Sequence, residues 1–269
     1  MPDTLRPHNK PPRTRRFSRV PVNVLIPNMI TLLALCSGLT AIRMGLEGRF
    51  ELAIAAIIVA AVLDALDGRV ARMLKGVSRF GAELDSLVDF VNFGVAPALL
   101  LYIWTLQELK SVGWIAVLGF ALCMALRLAR FNVQLDDPDK PVWKSNFFTG
   151  VPAPAGAALL LLPLYLNKLG MPYIMEAHMP IVVFCAMMSF LLVSRIPTYS
   201  GKLLGQRVKR DAVLPVMILV VLFAAILLSF PWATLTILSL LYLAAIPFGV
   251  IQYRKLDKAT QARSHPAAS

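Results

Sequence analysis

Charged residues, cysteine and histidine are all scarce in this sequence. Only 16% of the 269 residues are charged, whereas 58% are hydrophobic. The three cysteines and three histidines are too scattered for a disulfide framework or for a thiolate or imidazole metal site. No Rossmann or Walker fingerprint is present. These absences argue against a disulfide-stapled secreted domain, a zinc module and a soluble nucleotide-binding domain. The scattered residues are Cys36, Cys123, Cys185, His8, His178 and His265.

Long apolar runs take the place of these features. Several windows longer than about 18 residues carry almost no charge, which is the length of a membrane-spanning helix. We therefore predict an all-α polytopic membrane protein, with a membrane-embedded domain over 22–252. A basic, proline-rich cytoplasmic tail (1–21) precedes it and a cytoplasmic tail (253–269) follows it. About eight spanning helices are expected near 24–44, 50–73, 83–106, 112–133, 151–169, 178–195, 212–230 and 232–252.

Basic residues are distributed unevenly along the chain. A net charge of +12 would suggest nucleic acid in a soluble protein, but Lys and Arg also set membrane topology by concentrating in cytoplasmic segments. With the N-terminus in the cytoplasm, only four of the 27 basic residues fall on the opposite side. These four are Arg43, Arg49, Lys110 and Lys168. The pattern predicts both termini in the cytoplasm, contact with membrane lipid and no nucleic-acid partner.

Four aspartates lie in one stretch that apolar runs flank on both sides. An ionised Asp at the centre of a spanning helix costs about 2.5–3.5 kcal/mol on insertion scales. Asp64 and Asp67 are expected on one face at the end of the second helix, and Asp85 and Asp89 on one face of the third. Carboxylates facing each other repel unless a proton or a cation lies between them. An all-oxygen ligand set favours Mg²⁺, Mn²⁺ or Ca²⁺.

Small residues and an arginine accompany these carboxylates. Gly68 and Gly81 allow a close approach of backbone or ligand, and Arg72 can bind phosphate in a bidentate fork. Together with a carboxylate-bound cation, they would suit a diphosphate and phosphoryl transfer. Two alternatives remain open at this point. The aspartates could form ion pairs with nearby arginines, or they could belong to a cation-coupled transporter. The arginines available for pairing are Arg69, Arg72 and Arg79.

The same stretch resembles a family signature. The pattern D-x-x-D-G-x-x-A-R-x(8)-G-x(3)-D-x(3)-D is that of the CDP-alcohol phosphotransferase family, whose members displace CMP from a CDP-linked donor by an alcohol. The matching residues are Asp64, Asp67, Gly68, Ala71, Arg72, Gly81, Asp85 and Asp89. The resemblance implies the family's helical membrane bundle, a homodimer and two divalent ions, Mg²⁺ or Mn²⁺.

The resemblance also implies roles for individual residues. Asp64, Asp67 and Asp85 would hold one metal ion, and Asp89 would join Asp67 and Asp85 at a second. Asp89 is the candidate catalytic base. The residues expected to bind CDP are Asn28, Thr31, Asp64, Gly68, Ala71, Arg72 and Gly81.

The choice of acceptor depends on the residues around and beyond Asp89. The run 85–97 is similar to that of phosphatidylserine synthases, which implies CDP-diacylglycerol as donor and L-serine as acceptor in a bacterial inner membrane. Asn92 departs from this branch, where serine is expected. Glycerol phosphate, inositol phosphate and choline remain alternative acceptors. Residues that could bind the acceptor or the lipid phosphate are Asn92, Arg127, Arg130 and Arg195. The arginines could equally be topology charges or snorkelling side chains.

Overall fold

A computed structural model describes residues 22–135, 147–194, 196–199 and 213–264. Ten α-helices lie in these ranges. They are α1 (Val22–Leu46), α2 (Phe50–Met73), α3 (Arg79–Asp89), α4 (Ala96–Trp104), α5 (Ser111–Leu135), α6 (Ala153–Leu160), α7 (Leu162–Lys168), α8 (His178–Val193), α9 (Val213–Ser229) and α10 (Pro231–Ser264). Two short strands, β1 (Phe147–Thr149) and β2 (Pro197–Tyr199), pair antiparallel with Phe148 opposite Thr198.

Within the described ranges, four helical stretches are long and apolar enough to cross a membrane. They are Val22–Leu46, Arg79–Trp104, Ser111–Val133 and Pro231–Gln252. The shorter helices α8 and α9 are also apolar. The prediction of a helical polytopic membrane protein is therefore confirmed, whereas the number of eight spans stays a prediction.

Small residues on α1 set the closest packing in the bundle. Ala34, Gly38, Ala41 and Gly45 recur every three or four residues and are all buried. This face packs against α2 and also meets α3 and α4. Small side chains let helix backbones approach closely where no hydrophobic effect drives association. As a result, the start of α1 lies beside both the end of α2 and the start of α3.

A short connection reverses the chain between α2 and α3. The Gly76 N–H donates to the Ala71 carbonyl at 2.9 Å. A Cβ on Gly76 would lie only 2.0 Å from the backbone oxygen of Asn23, so this position has room for glycine alone. Ser78 then caps α3 by accepting a hydrogen bond from the Gly81 N–H at 3.0 Å. These contacts hold the α2–α3 connection against the start of α1.

The predicted helices differ from the observed ones in three places. The third helix is not regular, because a π-helical turn (Phe90–Val95) separates α3 from α4. The predicted single helix over 151–169 is divided at Leu161 into α6 and α7, with Pro163 in the first turn of α7. The last helix continues beyond 252, to Ser264. By contrast, the boundary between the last two predicted helices, 212–230 and 232–252, agrees with the observed one, because α9 ends at Ser229 and Pro231 begins α10.

Candidate metal and nucleotide site

Three carboxylates from two helices converge at the α2–α3 end of the bundle. Asp64, Asp67 and Asp85 each offer one oxygen, and these oxygens lie within 4.8 Å of one another. Asp67 is buried, while Asp64 and Asp85 are half-buried. The structure thus brings together three of the four aspartates that were predicted to bind metal.

A hydroxyl from α1 fixes the most buried of these carboxylates. The Thr31 hydroxyl donates to Asp67 Oδ2 at 2.6 Å, and it lies 3.1 Å from the Pro27 carbonyl oxygen one turn earlier. Thr31 is itself buried, at 4% exposure. A ligand carboxylate that is hydrogen-bonded in this way keeps its orientation for a metal ion. The first helix therefore contributes directly to the site.

The fourth aspartate extends the cluster deeper into the bundle. The carboxyl group of Asp89 lies beside that of Asp64, which also lies beside that of Asp85. Asp89 is not one of the three residues whose oxygens converge within 4.8 Å. Its Oδ1 is buried and has no hydrogen-bond partner among the described residues. The second metal ion that would involve Asp89 stays a prediction.

The donor set fits a divalent cation. Carboxylates this close repel one another unless a proton lies between them, and a bound cation would replace that proton. The converging ligands are all carboxylate oxygens, the type that Mg²⁺, Mn²⁺ and Ca²⁺ prefer. The Oδ1 atom of Asp89, which has no hydrogen-bond partner among the described residues, offers a further ligand oxygen beside them. The cluster can therefore hold a metal ion.

Ion pairing does not account for the aspartates. In the ranges that the structure describes, the ion pairs join Arg43 to Glu47, Arg49 to Glu47 and Lys168 to Glu51. All of them lie at the opposite end of α2 from the carboxylate cluster. The sequence-based alternative of aspartates paired with neighbouring arginines is thus not seen in this part of the chain.

A pocket of about 360 Å³ opens beside the cluster. Asp67 and Asp85 form part of its wall, and α1 supplies Asn28 and Thr31. Every residue predicted to bind CDP lines this pocket except Asp64. The complete lining is Pro27, Asn28, Thr31, Asp67, Gly68, Ala71, Arg72, Gly76, Val77, Ser78, Gly81, Ala82 and Asp85.

The two motif glycines serve different purposes in this pocket. A Cβ on Gly81 would lie 2.9 Å from Asn28 Oδ1 and 3.1 Å from Ser78 Oγ, so Gly81 allows α3 to pack against α1. A Cβ on Gly68 would meet only Arg72 Nη1, at 3.7 Å. Gly68 therefore leaves open the space that a ligand would fill, and packing does not require it.

The two predicted acceptor arginines on α5 make backbone contacts. Arg127 is 9% exposed, and its Nε donates to the Val151 carbonyl. Arg130 Nη1 donates to the Val193 carbonyl at 2.7 Å. Both side chains thus tie α5 to neighbouring segments, which favours a structural role for Arg130. Arg127 also interacts electrostatically with Asp89, so it belongs to the surroundings of the cluster.

The remaining predicted acceptor residues have contrasting positions. Asn92 is completely buried in the π-helical turn, one turn beyond Asp89. Arg195 lies outside the described residues.

Sequence reasoning overlooked part of the pocket wall. Gly76, Val77 and Ser78 line the pocket from the α2–α3 connection. The signal that could have identified Ser78 is local, because a serine three residues before Gly81 at a helix start is typical of an N-cap. A similar oversight concerns Ser86, which exchanges hydrogen bonds with Asn132 and so fastens α3 to α5.

Comparison with known proteins adds an independent observation. The sequence profile described as CDP-alcohol phosphatidyltransferase matches residues 24–251 of this chain. Several curated relatives carry the name CDP-diacylglycerol–serine O-phosphatidyltransferase. The relative from Mycobacterium leprae is 41% identical over 258 residues, covering 96% of this chain and 82% of its own length. The relative from Mycobacterium bovis is 40% identical over 271 residues (96% and 91%). That from Helicobacter pylori is 32% identical over 239 residues (87% and 94%).

Proposed function

Because this chain belongs to the CDP-alcohol phosphatidyltransferase family, we propose that it transfers the phosphatidyl group of CDP-diacylglycerol to L-serine. The products are phosphatidylserine and CMP. The observation that carries this proposal is the convergence of the motif residues on one pocket, whose wall includes two of the three converging carboxylates, Asp67 and Asp85. The names of the relatives support serine as the acceptor.

The donor nucleotide would occupy the pocket beside the cluster. Asn28 on α1 and Arg72 on α2 lie on two sides of this pocket, and Gly68 leaves its centre open. Arg72 would take a phosphate of the diphosphate in a bidentate fork. The apolar helices around the pocket would keep the diacylglycerol portion in the membrane. Donor binding is thus assigned to residues that the structure places together.

The carboxylate cluster would provide the charge stabilisation. Asp64, Asp67 and Asp85 would hold one divalent ion, Mg²⁺ or Mn²⁺, and Asp89 would join Asp67 and Asp85 at a second. Such cations neutralise the charge of a diphosphate and of a departing phosphate. The Thr31 hydroxyl keeps Asp67 oriented for this task.

The transfer itself would be a direct displacement. The serine hydroxyl oxygen forms a bond to the phosphorus of the phosphatidyl group, and the bond from that phosphorus to the CMP oxygen breaks. The hydroxyl proton moves to the carboxylate of Asp89, whose buried Oδ1 has no other hydrogen-bond partner among the described residues. A positioned base of this kind typically contributes about 10²- to 10⁴-fold to a rate.

Membrane placement completes the proposal. Apolar helices make this a membrane protein, and the excess of Lys and Arg favours cytoplasmic termini. The carboxylate cluster would then open to the cytoplasm of a bacterial inner membrane, where soluble serine and CDP-linked lipid can meet. Eight spans and a homodimer are also part of the proposal.

An acceptor panel tests this function directly. Purified protein in mixed micelles is given CDP-diacylglycerol with L-serine, glycerol phosphate, inositol phosphate or choline, and CMP release is measured. We expect release with serine and formation of phosphatidylserine. Release with another alcohol but none with serine would place the protein elsewhere in the family. Absence of CMP release with every alcohol, together with cation uptake after reconstitution into sealed vesicles, would instead indicate a transporter.

The contrast between the two glycines gives a further prediction. Gly68→Ala should not lower thermal stability, because its Cβ meets only the flexible end of Arg72 and alanine is favoured over glycine inside a helix. The same methyl group should raise the KM for CDP-diacylglycerol by roughly tenfold or more, since it fills ligand space. Gly119→Ala on α5 is a suitable control, because nothing lies within 4 Å of its added Cβ. An unchanged KM in Gly68→Ala would remove Gly68 from the donor site.

A further inference from the structure

One completely buried side chain near Asp89 has no internal role. Asn92 has 0% exposure, and both of its amide atoms lack a hydrogen-bond partner among the described residues. A buried primary amide that forms no hydrogen bond destabilises the fold, because it has lost its bonds to water. Natural proteins rarely leave such a group unless a ligand or a water satisfies it. Asn92 therefore needs an external partner.

A π-helical turn and a glycine on the facing helix provide the space for this amide. Asn92 lies in the π-helical turn, a local widening that is frequent at functional sites. A Cβ on Gly38 would lie 1.9 Å from Asn92 Oδ1, so the absence of a side chain at Gly38 creates the space that the amide fills. Gly38 is two turns beyond Thr31 on the same buried face of α1. Asn92 thus lies about 10 Å further into the membrane than Thr31.

Three unpaired polar atoms occupy one helical turn. They are Asp89 Oδ1, Asn92 Oδ1 and Asn92 Nδ2. Asp89 and Asn92 are three residues apart, at the start of the π-helical turn, so these atoms belong to the same part of the α3–α4 stretch. Together they offer two acceptors and one donor. Arg127, which interacts electrostatically with Asp89, adds positive charge nearby.

We infer that Asn92 is the residue through which this site recognises its acceptor, a small hydroxyl compound that carries both an ammonium and a carboxylate group. The amide oxygen would accept a hydrogen bond from the ammonium. The amide N–H would donate to the hydroxyl oxygen while Asp89 accepts the hydroxyl proton. This inference rests on the proposed function, because it assumes a phosphatidyl acceptor beside Asp89.

Zwitterionic serine matches the chemistry of this turn. Its hydroxyl supplies one donor and one acceptor, and its ammonium supplies further donors. Its carboxylate is the natural partner of a positive charge, which Arg127 provides. Ethanolamine lacks the carboxylate and 3-hydroxypropanoate lacks the ammonium, so each would leave one of these groups unsatisfied. Discrimination against such analogues is strong where a site has buried polar groups.

The test compares Asn92→Leu with Asn92→Ser in the full-length protein. Leucine has the branched shape of asparagine, although it is larger, and it cannot hydrogen-bond, whereas serine retains one donor and one acceptor. We expect Asn92→Leu to raise the KM for L-serine roughly 10- to 100-fold and to leave the KM for CDP-diacylglycerol unchanged. Asn92→Ser should recover most of that loss. Asn92→Leu should also discriminate less between L-serine and 3-hydroxypropanoate than the unmodified protein does.

Thermal stability separates recognition from a structural role. Because the amide makes no internal hydrogen bond, Asn92→Ser should melt close to the unmodified protein, whereas Asn92→Leu must also accommodate a larger side chain. Asn167→Leu is the matched control, since this amide lies at the other end of the bundle, where it donates to the Pro172 carbonyl. It should leave both KM values unchanged.

Distinct outcomes would overturn the inference. An unchanged KM for serine in Asn92→Leu, or equal increases for serine and CDP-diacylglycerol, would exclude Asn92 from acceptor recognition. A lower melting temperature in both Asn92 variants with a matching loss of kcat would make it structural. If the unmodified protein uses another alcohol, the proposed function fails. The same comparison with that alcohol then decides whether Asn92 contacts it.

Discussion

Asp67→Asn is expected to reduce CMP release by a thousandfold or more, roughly the effect of removing a principal charge-stabilising group. Asp67 is the most buried of the three converging carboxylates and the one that Thr31 orients. Replacing one carboxylate oxygen by an amide nitrogen removes both a ligand and a negative charge. The change should also raise the Mg²⁺ or Mn²⁺ concentration needed for half-maximal activity. Chelation of divalent ions should likewise stop turnover until metal is restored.

Two further variants test whether the effect of Asp67→Asn is specific to metal binding. Thr31→Val removes only the hydrogen bond to Asp67 Oδ2, so a partial loss of about 10- to 100-fold in metal affinity or activity is expected. Glu83→Gln changes an exposed carboxylate of α3 outside the cluster and should have little effect. Activity in Asp67→Asn close to that of the unmodified protein would contradict the assignment of Asp67 to the metal.

Asp89→Asn is expected to bind CDP-diacylglycerol and yet release almost no CMP with serine. The three carboxylates that converge within 4.8 Å do not include Asp89, so the first metal position and the nucleotide pocket should survive the change. An amide cannot accept the hydroxyl proton, and the loss of a general base typically costs about 10²- to 10⁴-fold in rate. Single-turnover CMP release and equilibrium binding of labelled CDP-diacylglycerol measure the two effects separately.

The result for Asp89 also distinguishes its two possible roles. If Asp89 acts mainly by holding metal, Asp89→Asn should behave as Asp67→Asn does, and its main defect should be a higher Mg²⁺ or Mn²⁺ concentration for half-maximal activity. If it acts as the base, kcat should fall while metal dependence and donor affinity stay near those of the unmodified protein. Normal kcat with serine would exclude Asp89 as the base.

Much of the site can be predicted from the amino-acid sequence without knowledge of the tertiary structure. The spacing of Asp64 and Asp67, and of Asp85 and Asp89, fixes which carboxylates share a helix face, because helical periodicity is local. The short segment between α2 and α3 then has to bring the two pairs to the same end of the bundle. Apolar length alone indicates a membrane protein.

Other features depend on contacts between distant segments. The hydrogen bond from Thr31 to Asp67 joins residues 36 positions apart, and Arg127 reaches the Val151 carbonyl 24 positions away. Sequence patterns do not encode such distances, because side-chain partners across a bundle depend on how helices pack. For the same reason, Arg127 and Arg130 could not be assigned as ligands or as structural ties before their backbone contacts were known.

The amino-acid sequence alone establishes which side chains form the site. They are carboxylates, glycines and an arginine at helical spacing among apolar runs. Local spacing is enough for that, since each helix face is defined within a few residues. How these side chains are buried and which neighbours they contact depends on the tertiary structure. The π-helical turn, the space at Gly38 and the complete burial of Asn92 arise where α1 packs against the third spanning stretch. No pattern along the chain predicts them, because they depend on which small residue faces which side chain across the bundle.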